Sequence, residues 1–221
     1  MNIRNNIAFF QNQLAGKDCR LIVVSKTHPV EKIKEGYEAG QRIFGENKVQ
    51  ELVAKQAELP KDIEWHMIGH LQSNKAKQLV PVVSLIHSVD SLKLLEEINK
   101  QAKKINRVVP CLLQVHIAKE ETKFGFDENE VIDLIQSGKI DSLDSVKVTG
   151  LMGMATFSEN KEQVRNEFKS LKKLFDRIAK MNLPANMEMK ELSMGMSQDY
   201  QIAIEEGSTL VRIGTAIFGS R

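Results

Sequence analysis

Only two cysteines occur in the 221 residues, and Cys19 and Cys111 stand at the starts of apolar runs far apart in the chain. With no CxxC pair and no Cys/His ligand spacing, a disulfide framework or a cysteine-based metal site is not expected, and both thiols read as small core residues. No apolar run approaches the ~20 residues that span a bilayer. The first residues, MNIRNNIAFFQNQLAGK, hold a short apolar patch among polar amides, which matches neither a secretory h-region nor an Arg-rich transit peptide. Charge of one sign is also missing: 31 Lys+Arg against 29 Asp+Glu leaves no broad electrostatic footprint for nucleic acid or an anionic membrane. There is no Pro/Gly/Ser-rich linker to divide the chain. The turn after the first apolar run has no glycine and no GxxxxGK[ST] loop occurs, which argues against a dinucleotide-binding or P-loop fold. These absences predict a cytoplasmic, monomeric protein of one domain, residues 1–221, with no nucleic acid, membrane or metal partner.

What the chain does contain is a regular alternation. After an amphipathic segment with Ile3, Ile7, Phe10 and Leu14 at helical spacing, apolar runs at 20–25, 41–44, 63–68, 83–87, 108–116, 146–150, 188–192 and 209–213 read as strands. Helical periodicity fills the intervals, as in Leu92/Leu95/Ile98 and Phe168/Leu171/Leu174/Phe175/Ile178. Strict alternation of strand and helix implies a parallel sheet. Eight such units in this length imply a closed (β/α)8 TIM barrel of the α/β class more readily than an open sheet.

The run LIVVSKTHP at residues 21–29 is the centre of this reading. Four aliphatic residues form a strand buried on both faces, and Lys26 stands where it stops. An ammonium group there reaches back to solvent, is ion-paired, or is put to use. In a barrel the C-terminal strand ends surround the mouth where ligands bind. Besides Lys26 they bring Asn47, His66, His70, Ser88, Asp90, His116, Met152-Gly153-Met154, Ser193-Met194-Gly195-Met196-Ser197 and Arg212-Ile213-Gly214-Thr215 to that mouth. The last two groups set glycine beside hydroxyl residues between strands 7 and 8, where barrels often bind phosphate. Singly, each glycine reads equally well as a turn residue and Ser193 as a helix cap. Arg212, inside the apolar run LVRI, must find a buried acceptor, and a cofactor ring nitrogen would serve. Lysine, phosphate site and buried arginine in one mouth suggest pyridoxal phosphate.

The stretches VVSKTHP, FGENKVQE, WHMIGHLQSNK, HSVD, GLMGM and LSMGMSQDYQIAIEEGSTLVRIGTAIFGSR resemble those of the YggS/PROSC family of pyridoxal-phosphate homeostasis proteins over essentially the whole chain. The resemblance implies the barrel of fold-type III pyridoxal enzymes, similar to the N-terminal domain of alanine racemase. It makes Lys26 the residue that holds pyridoxal 5'-phosphate (PLP) as an aldimine. It also implies that Ser193, Gly214 and Thr215 bind phosphate, that Arg212 faces the pyridine nitrogen, and that Asn47, Met194 and Gly195 line the site. His66 is a further candidate for the ring-facing wall. His70 stands where the family usually has proline, which bears on that loop's conformation and on no assigned ligand. The implied function is PLP binding and supply to PLP-requiring apoenzymes, with small amines or amino acids as further partners.

An alternative is a PLP-dependent amino-acid racemase or decarboxylase. Against it, an arginine keeps the pyridine nitrogen unprotonated and the ring a poorer electron sink, and racemisation needs an acid/base group on each face of the α-carbon. Lys26 supplies one. The racemase draws the second from an added domain and a partner subunit, and with the sequence ending at Arg221 no such domain is expected. A third reading, a barrel acting on a sugar phosphate, predicts colourless protein. His66 and His70 are four apart, a spacing that converges on a metal only in a helix, whereas this segment reads as a strand. Lys123 reads as a solvated lysine, with a secondary aldimine as the alternative.

Overall fold

The computed structural model describes residues 2–118 and 124–219. A helix, α1 (Ile3–Leu14), precedes eight strands: β1 (Arg20–Val24), β2 (Ile43–Glu46), β3 (Glu64–Met67), β4 (Leu85–Val89), β5 (Val109–His116), β6 (Val146–Met154), β7 (Met187–Met196) and β8 (Leu210–Ile213). The helices that follow them in turn are α2 (Val30–Glu38), α3 (Val49–Glu58), α4 (Ala76–Leu79), α5 (Leu92–Lys103), α6 (Glu128–Gln136), α7 (Lys161–Ala179), α8 (Tyr200–Glu205) and α9 (Thr215–Phe218). The strands are parallel, pair in chain order, and β8 pairs back onto β1, so the sheet is the closed (β/α)8 barrel the alternation predicts.

Period-two alternation sorts the strand residues into two cores. Leu21 and Val23, Trp65 and Met67, Leu113 and Val115 face the helices, where α7 contributes Phe168, Leu171, Leu174 and Ile178 from one stripe. Ile22, Leu85, Leu112, Met152 and Leu210 point the other way and fill a layer inside the barrel. Side-chain oxygens of Asn2, Ser91, Asp127 and Asn160 cap α1, α5, α6 and α7, and Asp127 with Glu130 forms a complete capping box. Each such cap is worth about 1 kcal/mol. Both cysteines are free and buried. Among the described residues, no helix is long and apolar enough to cross a membrane.

Strand ends differ from the sequence reading where glycine or a polar side chain disguises the pattern. Residues 41 and 42 precede β2: buried Gln41 uses its amide to donate to Leu21 O and Ile43 O at 2.9 and 2.7 Å. β6 and β7 run to Met154 and Met196, so Met152-Gly153-Met154 and residues 193–196 lie within strands and not after them. Irregularities keep these long strands in the barrel. Gly150, with φ of 151°, sits where a Cβ would fall 1.8 Å from Glu191 O. β7 carries three steps from Ser193 to Met196 against two from Leu210 to Arg212 on β8, a bulge that reverses which side chains face inward.

Candidate functional site

The C-terminal strand ends enclose a cavity of about 530 Å³, within the usual range for small-molecule sites. Val24 and Ile68 give it an apolar wall, and Met154, Phe157 and Met196 form a rim that is 43%, 81% and 37% exposed.

Lys26 enters from the turn after β1. Thr27 takes a left-handed φ of 66°, a strained conformation for a β-branched residue, and the surroundings hold it there. Glu51 Oε1 accepts from Thr27 N at 2.5 Å, and Ser25 Oγ donates to Glu46 Oε1 at 2.6 Å. Buried Lys55 closes the cluster, donating to Ser25 O at 2.8 Å, Glu46 Oε1 at 2.7 Å and Glu51 Oε1 at 2.6 Å. Burial pushes the Glu46 carboxyl above the usual carboxylate range, against the pull of its bonds from Lys55 and Ser25. His28, at the end of the turn, stacks on Phe218 with ring centroids 4.4 Å apart.

Arg212 enters from β8 and is 4% exposed. Its Nη1 donates to Ser193 O at 3.1 Å and Ser193 Oγ at 2.6 Å, and its Nη2 to Gly153 O at 3.2 Å. These acceptors are all neutral protein groups. Arg212 thus finds the buried acceptors that its place in an apolar run demands, and it finds them within the protein. A guanidinium has five N–H donors, however, so capacity remains for a ligand in the cavity it lines. Burial lowers its pKa to about 10, partly offset by the charge of Asp199. Asp199 lines the same cavity, caps the turn by accepting from Met196 N at 2.5 Å, and is itself raised by burial.

Gly214 lies beside the start of β1's exit: a Cβ there would meet Val24 Cβ at 3.1 Å and Val24 O at 3.2 Å, so glycine lets β8 close against β1. Lys26, Asn47, Arg212, Gly214 and Thr215 thus share one cavity. The other predicted positions lie elsewhere. Ser193 is wholly buried one level below, under Arg212. Met194 points into the core between sheet and helices. Gly195, with φ of 92°, packs on α8, where a Cβ would lie 2.5 Å from Ala203 Cβ. Ser197, Met196 and Asp199 line the cavity instead. The β7 bulge sets this arrangement, since strict alternation from Ser193 would put Gly195, not Met196, at the mouth.

His66 is buried inside the barrel, its Nδ1 3.0 Å from His87 Nε2, and desolvation pushes its pKa down to about 3. His70 is on the surface, 3.1 Å from Asp90 Oδ2, so the two histidines do not converge. Lys123 lies outside the described residues.

Comparison with known proteins gives a consistent result. The family "Alanine racemase, N-terminal domain" matches residues 1–221. The pyridoxal phosphate homeostasis protein of Aquifex aeolicus is 44% identical over 208 residues, covering 93% of this chain and 89% of the relative. The structure of PipY from Synechococcus elongatus, solved with PLP bound, is 38% identical with a TM-score of 0.88, covering 98% of this chain and 100% of PipY. Alanine racemase of Clostridium difficile, 16% identical with a TM-score of 0.73, shares the fold, and the match covers 100% of this chain and 56% of the racemase. The chain belongs to the pyridoxal phosphate homeostasis protein family, built on the alanine racemase N-terminal barrel.

Proposed function

We propose that this chain binds PLP in the cavity at the barrel mouth, with Lys26 as the covalent attachment point, and serves PLP homeostasis by holding the cofactor and releasing it to recipient apoenzymes. The observation that carries the reading is the convergence of Lys26, Arg212 and the hydroxyl pair Ser197 and Thr215 on one cavity. That donor set suits the group: a primary amine for an aldehyde, a buried cation for a ring nitrogen, and hydroxyls beside Gly214 for a phosphate. When bound, PLP supplies an electrophilic carbonyl and a conjugated ring.

The protein's own residues do the rest. The Lys55 clusters fix the turn so that Lys26 meets the cavity from one side. Arg212 donates to a ring nitrogen placed against it and holds that atom unprotonated, because a guanidinium does not give up its proton near neutral pH. Ser197, Thr215 and the backbone around Gly214 take the phosphate, and Asn47 with Val24 and Ile68 borders the ring. The exposed rim leaves room for a small amine or an amino acid to reach the site. Residues 1–221 act as one monomeric, cytoplasmic unit in this reading.

The test is the visible spectrum of the purified protein before and after borohydride, followed by peptide mass spectrometry. A reduced pyridoxyl adduct on Lys26 supports the reading. Colourless protein that takes up no added PLP refutes it, and amino-acid isomerisation lost in Lys26→Ala would replace homeostasis by catalysis.

A further inference from the structure

Inside the barrel, below the cavity, four buried polar side chains from four strands form a continuous chain. Arg212 of β8 donates from Nη1 to Ser193 Oγ of β7 at 2.6 Å. Ser193 Oγ lies 2.9 Å from Nδ1 of His87 on β4. His87 Nε2 lies 3.0 Å from Nδ1 of His66 on β3. All four residues are at most 4% exposed. His66 then borders a small cleft at the opposite, N-terminal end of the barrel, with Arg20, Glu64, Thr149 and Glu191.

Donor and acceptor chemistry orients this chain. A guanidinium only donates, so Ser193 Oγ accepts from Arg212, and its own proton goes to His87 Nδ1. His87 then carries its proton on Nε2 and gives it to His66 Nδ1, which leaves the His66 proton on Nε2. In the reverse sense the serine hydroxyl proton would point at no acceptor in the chain, a costly state for a buried group. Burial inside the barrel is the main reason both imidazoles stay neutral, and the charges of Arg20, which both histidines feel, and of Arg212 beside His87 add to it.

We propose that His66 and His87 are positioning residues for Arg212, acting through Ser193 as a one-way relay of neutral dipoles that turns its lone-pair ends toward the guanidinium. Among the described residues no carboxylate accepts a hydrogen bond from Arg212, Asp199 acting on it only through space, so the relay supplies the direct bonding that a paired carboxylate would otherwise give. It stabilises the buried cation through aligned hydrogen bonds while leaving its charge available to the cavity. A carboxylate in the same place would share that charge. The proposal rests on the cofactor reading of the cavity above it.

The decisive experiment is nitrogen NMR of the full chain with labelled histidine, with and without added PLP, together with PLP binding by His87→Leu and His87→Gln. Two buried rings protonated on Nε2 and bare on Nδ1, unchanged from pH 8 to pH 6, are expected. A ring protonated on Nδ1, or an imidazolium, in either position would overturn the relay. His87→Leu is expected to weaken PLP binding about tenfold and shift its visible absorption. His87→Gln, which keeps an acceptor and a donor, is expected to stay within about twofold of the parent. Leucine binding PLP as the parent does, with the same spectrum, would reduce the chain to a structural filler. If the unsubstituted protein takes up no PLP, the cofactor reading fails, and the tautomers read without cofactor still decide the relay.

Discussion

Lys26 and Arg212 face one cavity from adjacent strands, yet the protein around them is built on opposite principles. Behind Lys26 lies a cluster of full charges: Lys55 with Glu46 and Glu51, bonded to the backbone of Ser25 and Thr27. Behind Arg212, among the described residues, the hydrogen-bond acceptors are neutral: the Ser193 hydroxyl and the carbonyls of Ser193 and Gly153. The first arrangement grips backbone and sets a turn. The second grips a side chain and leaves its charge intact. In the proposed function the amine needs a fixed approach to a carbonyl and the cation needs its hydrogen-bond donors free to face a ring nitrogen, two different demands on the surrounding protein.

The largest expected effect breaks the comparison outright. Lys26→Ala removes all borohydride-fixed pyridoxyl label, read by peptide mass spectrometry, while the fold persists because the turn is held by Ser25, Thr27 and Lys55. An Arg212→Gln protein, by contrast, keeps the label on Lys26 but binds PLP about ten- to a hundredfold more weakly, since a hydrogen bond to a charged group is worth about 1.5–3 kcal/mol. Equal loss of label in both variants would show that the two cations do not have separate roles.

Next in size is the ionic side alone. Lys55→Met leaves Glu46 buried without its cation, and Glu46 Oε2 already has no partner among the described residues. Breaking such a pair costs about 3–5 kcal/mol, read as a lower urea midpoint. Adding Glu46→Gln to Lys55→Met removes the stranded charge and should recover part of the loss. A single-variant loss below ~1 kcal/mol would mean the cluster is not what holds the turn.

How far could the sequence show this? The barrel was legible because eight apolar runs alternate with 3.6-period segments, and the position of Lys26 at the mouth because it ends the run LIVV, although that run alone explains a solvent-reaching or ion-paired lysine as well as a reactive one. Gly214, Thr215, Asn47 and Arg212 were placed by strand ends and family resemblance. Ser193, Met194 and Gly195 were named by the family resemblance, and their side-chain directions could not be read from the sequence, since alternation gives direction only where the register is even. The Lys55 cluster is hidden for another reason: the i,i+4 spacing of Glu51 and Lys55 accounts for their own pair, and only the fold brings Glu46 to the same ammonium. The histidine relay joins residues 106 positions apart, a link no local pattern carries.

The pH response separates the two sides by sign. His66 and His87 are depressed in the folded state, His66 to about 3, so their contribution is present above the unfolded value near 6.5 and is lost as pH falls toward 3. Glu46 and Asp199 are raised, so their contribution is present below the ordinary carboxylate range and is lost as pH rises through their folded values. Urea unfolding between pH 6 and pH 5 should show stability falling by about 1.4 kcal/mol per pH unit for each histidine. His87→Gln should remove about half of that slope. A flat profile over this interval would mean that the histidines are not held neutral.

The smallest effect decides between two serines four residues apart. Ser197 borders the cavity with Gly214 and Thr215. In the proposed site Ser197→Ala removes one of several phosphate donors, so PLP binding should weaken only about two- to tenfold. Inorganic phosphate, as a competitor, should weaken in proportion, and the visible spectrum should not move. Ser193→Ala acts on the other term. It takes a 2.6 Å acceptor from Arg212 and leaves His87 Nδ1 without a donor, so the spectrum and the histidine tautomers should change while phosphate competition stays near the parent value. If phosphate competition instead tracks Ser193 and ignores Ser197, the hydroxyl below the arginine reaches the ligand after all. The division into a charged clamp and a neutral relay would then have to be redrawn with Ser193 as a ligand of the anion.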